Sequence, residues 1–391
     1  MLADAVPLYP LYALFFTDTG LSGSEVSALF AVWSVTGVLA EVPSGALADR
    51  WSRRGVLVIA GVLQAGAYAL WTAAPGFPGF AGGFVLWGLG GALVSGAFRA
   101  LVYDGLAAAG AASHYARVIG RAEAAGQLAQ IPAAVAATVL FRAGGYPLVG
   151  WVSVACCLGA ALLASALPEA GRERLPGARR VQPEAVDGPV PGPDAEVDDE
   201  PGAAAARPAS LRAGLTEVAV QPAVRSAVLA VAGLAGLGAL EEYVPLLVAD
   251  AGVPTGLVPI VALGLPLAGA AGSACAASGA RLPSLGLALA LGVASTALVA
   301  SAIVAHPAAL TGLAVFYGLY RMVLVVADVR LQDRITGSAR ATMTSVASLG
   351  GEVASIAVFA AWALGGAVAV GGLVLLMAGT LPRLLRVRAA A

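Results

Sequence analysis

Residues able to do chemistry are few in this chain and stand out against an apolar background. Only 12% of the 391 residues are charged, while 59% are hydrophobic. Several carboxylates and guanidiniums nevertheless fall inside long apolar runs, where a charge is costly and marks a functional candidate. Glu241 and Glu242 are adjacent in the outer half of a run over about 223–249. On an α-helix neighbours point about 100° apart, so one of the two is expected to face a central cavity well. Desolvation favours the protonated form of a carboxyl, which makes this pair a candidate site for proton coupling or cation binding. Arg321 and Glu352 lie near the middles of two later runs, roughly 15 and 20 Å along their helices at 1.5 Å per residue. They are a candidate buried pair, serving either a proton or substrate site or structure alone. Glu41, Arg99 and Glu123 fall at similar shallow depth and form a candidate polar network in the first half of the chain.

The densest charge cluster is the stretch Gly45–Leu57, which holds Asp49, Arg50, Arg53 and Arg54 between apolar runs over 26–46 and 56–74. Such a cluster does not belong in lipid and reads as a tight turn between two membrane helices. Asp49 and Arg53 are four residues apart and can pair on one helical turn. Asp104, at the end of a later run, is available to the same arginine.

The elements that must position these groups follow from hydropathy. With a mean hydropathy of +0.86, the apolar material exceeds what one soluble core needs, and about twelve runs reach the roughly 20 residues that cross a bilayer. They divide as an N-terminal six-helix unit over 1–168, a Pro-, Gly- and charge-rich cytoplasmic linker over 169–222, and a C-terminal six-helix unit over 223–391. The 50 glycines fit close helix packing in lipid. Arginine supplies every basic residue. It concentrates after the even-numbered runs, in the linker and at the C-terminus, which puts those ends and both termini in the cytoplasm. Lysine and asparagine are absent, as expected of GC-rich bacterial coding. The halves also repeat: Tyr9-Pro10-Leu11 with Thr19-Gly20-Leu21 is echoed by Val244-Pro245-Leu246 with Ala251-Gly252-Val253. Six plus six helices with a weak repeat is a transporter architecture, with substrate held between the halves.

The Gly45–Leu57 stretch resembles the loop-2/3 signature of the major facilitator superfamily (MFS), G-x-L-A-D-R-x-G-R-R/K-x-x-L. Gly45, Leu47, Asp49, Arg50, Arg53, Arg54 and Leu57 match, and Ser52 stands where the family usually has glycine. The string Leu39–Asp49, with Ala100–Asp104, is similar to a bacterial branch of permeases and drug exporters. The resemblance implies an all-α polytopic membrane protein of the MFS fold, with two pseudo-symmetric six-helix bundles. It implies a monomer in the bacterial inner membrane that moves a small molecule by alternating access and is powered by the proton gradient. It assigns Gly45, Asp49, Arg50, Arg53, Arg54 and Asp104 to a conformational latch, with the start of the eleventh span, near Ser338, as the partner of Asp49. The exporters' glycine-rich signature is only partial, since Gly126 and Pro132 are followed by alanines at 133–137.

Other chemistries find little support in the sequence. His114 and His306 are separated and make no metal pair, and no Gly-Lys-Ser/Thr phosphate loop appears, so neither a metal, an organic cofactor nor ATP hydrolysis is expected. No enzyme motif and no nucleic-acid-binding surface is evident. Cys156, Cys157 and Cys275 read as small packing residues. The expected activity is proton-coupled efflux of a small hydrophobic or weakly charged compound. Import of a small nutrient, and a non-transporting scaffold or scramblase, are the alternatives.

Overall fold

A computed structural model describes residues 5–167, 221–304, 306–335 and 340–385. A few side chains within these ranges, including those of Gly45, Asp49, Arg50 and Arg340, are outside the described set. So are nearly all of the expected linker and Ser338. Among the described residues every regular element is helical. The first half contains α1 (Tyr12–Asp18), α2 (Gly23–Arg50), α3 (Arg53–Ala73), α4 (Phe77–Ala108) and α5 (Tyr115–Ser165). The second contains α6 (Pro222–Gly236), α7 (Val244–Asp250), α8 (Val258–Ala262), α9 (Gly264–Ala274), α10 (Ala276–Gly279), α11 (Ser284–Ile303), α12 (Ala309–Gln332) and α13 (Arg340–Leu384).

Nine helical stretches among the described residues are long and apolar enough to cross a membrane. Two of these are double. A straight helix of α5's 51 residues would measure ~77 Å at 1.5 Å per residue, over twice a ~30 Å hydrocarbon core. It breaks at Gly144-Gly145, and α13 breaks in the same way at Gly365-Gly366. The second glycine of each pair has φ near +60° (61° and 58°), a left-handed conformation that favours glycine. The chain reverses there. Gly61 packs on Ala161 and Gly150 on Thr72, so the second arm of α5 runs antiparallel to α3. The first span is short, with a 3-10 turn at Tyr9–Leu11 leading into α1.

The repeat seen in the sequence is a structural one. Gly20 and Gly252 both have positive φ and close the ends of α1 and α7 with matching backbone bonds, Gly20 N–H to Thr17 O and Gly252 N–H to Ala249 O. Helices approach closely where residues are small: a Cβ at Gly272 would lie 1.9 Å from the carbonyl oxygen of Gly318. Aromatic rings fill the N-terminal core, with Tyr12, Phe16, Trp71 and Phe84 in mutual contact. Cys157 is buried, but Cys275 is exposed and is not the packing residue the sequence suggested.

Candidate functional site

The charge cluster that dominates the sequence forms the turn between α2 and α3. Ser52 caps α3, its hydroxyl accepting from Gly55 N–H at 3.0 Å, which gives the departure from the family pattern a local purpose. Arg53 donates to the Ala100 carbonyl at 2.8 Å and to the Asp104 carboxylate, so the expected α3–α4 link is present. Arg54 is exposed. The contacts expected of Asp49 and of the start of the eleventh span lie outside the described residues.

The seventh span is broken where the acidic pair falls. After α6 the chain tightens into a 3-10 helix over Leu237–Tyr243 before resuming as α7. A mid-span 3-10 segment often marks a functional hinge. This overturns the expectation that only one of Glu241 and Glu242 can face a cavity. Both line the same ~310 Å³ cavity, with Tyr9, Tyr12, Gln127 and Gln130 from the N-terminal half and Pro245, Leu265 and Pro266 from the other. Adjacent side chains in a 3-10 segment point ~120° apart, so it is the cavity that extends around the segment to reach both carboxylates. Tyr12 donates its phenol O–H to Glu242 Oε2 across the interface. Glu242 also lines a second cavity of ~270 Å³, together with Trp33, Ser34, Glu352, Ser355 and Phe359. It therefore belongs to the wall between the two.

The remaining expected partners are redistributed. Arg321 and Glu352 form no ion pair among the described residues. Both are exposed; Arg321 packs on Gly269 of α9, and Glu352 opens on the second cavity. Depth along a helix was readable in the sequence, but the direction around it was not. Arg99 and Glu123 do pair, at 3.3 Å, and both are well exposed. Glu41 is not in that pair. Gln127 and Gln130 bond to each other at 3.2 Å on the cavity wall, whereas Gln64 packs against Gly90 between helices. Trp33 and Trp87 are in tilted ring contact, and Tyr9 contacts Trp87. Sequence reasoning passed over Tyr12, whose only signal is a hydroxyl in a short apolar span.

The halves meet at the end away from the charged turn. Ser27 bonds Tyr243 at 2.8 Å, Phe30 contacts Phe359, and Gly23 lies against Trp362. Gly256 lies against Phe141. Deeper in, Ser34 donates to the Glu352 carbonyl at 3.5 Å. These described contacts close one end of the interface over the two cavities.

Two helical bundles around central cavities, joined at one end, define a polytopic membrane protein built like a secondary transporter. The Major Facilitator Superfamily profile matches residues 1–370, and the chain belongs to that family. Members of this family are transporters, not enzymes. No curated relative matches at the sequence level. Among solved structures the fold is similar to that of a D-xylose-proton symporter, with 15% identity and a TM-score of 0.64, covering 97% of this chain and 93% of that chain. It is also similar to the nucleoside transporter NupG (12%, TM-score 0.69, covering 98% and 95%). A bacterial homolog of the human lysosomal transporter Spinster, in an inward-facing and unoccupied conformation, matches at 14% with a TM-score of 0.64, covering 98% and 90%.

Proposed function

We propose that this protein is a proton-coupled secondary transporter that exports a small hydrophobic or weakly charged compound by alternating access across a bacterial cytoplasmic membrane. The bond from Tyr12 to Glu242 carries the reading. It joins the first span of one half to the broken seventh span of the other, on the wall shared by two cavities. A carboxyl there couples two events. In one protonation state it accepts from Tyr12 and holds the halves together; in the other the balance of that contact changes, and the closed end can open. The Arg53–Asp104 link braces α3 against α4 and so positions the charged turn, with Asp49 beside it in sequence, as the latch on the opposite end. The arginine distribution supports an orientation with the charged turn and both termini in the cytoplasm, so the described state is open toward the cytoplasm. The energy source is the proton gradient, and the working unit is a monomer with domains at 1–168 and 223–391.

The test is proton flux in reconstituted proteoliposomes under an imposed pH gradient, across a panel of hydrophobic compounds. The wild type should show compound-dependent proton movement. Glu242→Gln, which keeps an acceptor but cannot exchange a proton, should reduce it to background while leaving the fold intact. Undiminished coupled flux in Glu242→Gln would refute Glu242 as the coupling residue, and no flux with any compound would count against the exporter itself.

A further inference from the structure

The two adjacent carboxylates of the broken seventh span have different neighbours. Glu242 is half-buried and accepts the Tyr12 phenol O–H. Glu241 is exposed on the same ~310 Å³ cavity and has no hydrogen bond or ion pair among the described residues. A third carboxylate, Glu352, lines the ~270 Å³ cavity that shares Glu242 with the first. No described cationic side chain lines either cavity. Arg321 of α12 packs on Gly269 of α9 and lines neither.

The rest of the wall around Glu241 suits an organic ligand. Tyr9 is exposed and lines the cavity, its ring 5.7 Å from that of Tyr12 and 6.1 Å from that of Trp87. Gln130 donates to Gln127 at 3.2 Å on the same wall, and the pair leaves one amide oxygen to accept from a ligand. Pro245, Leu265 and Pro266 make the opposite wall apolar. Among the described residues no group of three or more His, Cys, Asp or Glu is placed to hold a metal ion. At ~310 Å³ the cavity is near the lower end of ligand sites, so its occupant is small.

An anionic wall without a counter-cation, inside a membrane span, discriminates between ligands. An anion is repelled, and a zwitterion brings its own carboxylate beside Glu241 and Glu242. A neutral compound leaves Glu241 unmatched. An organic ammonium pairs with the carboxylate, sets its charge against an aromatic ring and buries its apolar body on the proline face.

We propose that Glu241 and Tyr9 form the recognition subsite for the transported compound, and that this compound is a small organic cation, an ammonium carried on an apolar body. The ammonium donates to Glu241 and to the spare amide oxygen of the Gln127–Gln130 pair. The body lies against Pro245, Leu265 and Pro266. Glu242 stays with Tyr12, so the substrate charge and the coupling proton use separate, adjacent carboxylates of one cavity. The inference rests on the transporter reading above and names the substrate class for it.

Binding to the full-length protein in detergent, measured by isothermal titration, tests it with three probes of one shape. These are phenethylammonium (cation), phenethyl alcohol (neutral) and phenylacetate (anion). The cation should bind about tenfold or more tightly than the alcohol, the effect of one charge-assisted hydrogen bond, and phenylacetate should bind most weakly. Glu241→Gln should erase the cation's advantage over the alcohol. Tyr9→Leu should reduce that advantage about threefold. Arg99→Ala should leave all three affinities unchanged. Melting curves establish that each variant folds; where Glu241→Gln does not, the wild-type ranking decides. An alcohol that binds as tightly as the cation, no binding of the cation at millimolar concentration, or a cation advantage that survives Glu241→Gln overturns the proposal. Compound-driven proton flux, measured separately, keeps the two readings apart. Cation-selective binding without coupled flux leaves the subsite standing and counts against the exporter, and flux driven by neutral compounds alone does the reverse.

Discussion

The two halves share a fold but secure their charged ends differently. In the N-terminal half Arg53 reaches from the start of α3 to Asp104, an ion pair whose carboxylate is 48% exposed. In the C-terminal half the described contacts of Arg330 and Arg334 are to backbone carbonyls and serine hydroxyls. Arg330 donates to the Leu282 carbonyl at 2.5 Å and to Ser284 at 3.2 Å. Arg334 donates to the carbonyls of Ala223 at 3.0 Å and Leu384 at 3.2 Å, fastening the start of α6 to the end of α13. Ser284 in turn donates to the Leu385 carbonyl at 2.9 Å. An exposed ion pair is weak, salt-sensitive and easily exchanged. Charge-assisted bonds to helix-end carbonyls satisfy groups that a helix cannot satisfy alone. The comparison suggests a division of labour in which the N-terminal half carries the contact that switches. The C-terminal half is riveted at that end and carries the interrupted span with its two carboxylates.

Variants can break this comparison in order of expected effect. Arg334→Ala removes three side-chain bonds among the described residues, to Ala223, Ser226 and Leu384, and should destabilise the protein by about 2 kcal/mol. That loss should appear as a lower melting temperature in detergent, with transport per folded molecule little changed. Asp104→Asn should do the opposite. It should leave the melting temperature nearly unaltered, since exposed pairs contribute at most ~1 kcal/mol, but slow transport by about tenfold, equivalent to ~1.4 kcal/mol in the switching equilibrium. Raising ionic strength should slow the wild type and leave Asp104→Asn unaffected. If Arg334→Ala instead slowed transport without lowering stability, the division of labour would be wrong. The smallest effect belongs to Arg99→Ala. Its pair with Glu123 is exposed on both sides, so both stability and transport should stay within experimental error of wild type.

Much of this was readable in the sequence, and the parts that were not share a physical cause. The spans, the charged turn and the Arg53–Asp104 link follow from hydropathy and spacing. The breaks at Gly144-Gly145 and Gly365-Gly366 divide the two longest helices into pieces of about the length a bilayer sets. Direction around a helix was harder to read. Spans rich in alanine and glycine are apolar on every side, so nothing in the sequence indicated that Arg99 pairs with Glu123 and not with Glu41. The 3-10 turn at Leu237–Tyr243 was also hidden, because Gly238 and the two glutamates fit either helix type. The cavity extends around that segment and reaches both Glu241 and Glu242. Tyr12 became visible only when its partner, 230 residues away, was in place.

The central claim is that Glu242 governs which end of the interface is open. Double electron–electron resonance tests it most directly, with nitroxide labels at residues 121 and 281, exposed on the charged ends of the two halves, in a background where Cys156, Cys157 and Cys275 are replaced by serine. In the wild type the distance distribution should have two populations whose ratio shifts between about pH 5 and pH 8. In Glu242→Gln it should hold one ratio across that range. A Glu242→Gln protein that still shifts with pH as the wild type does would contradict the account.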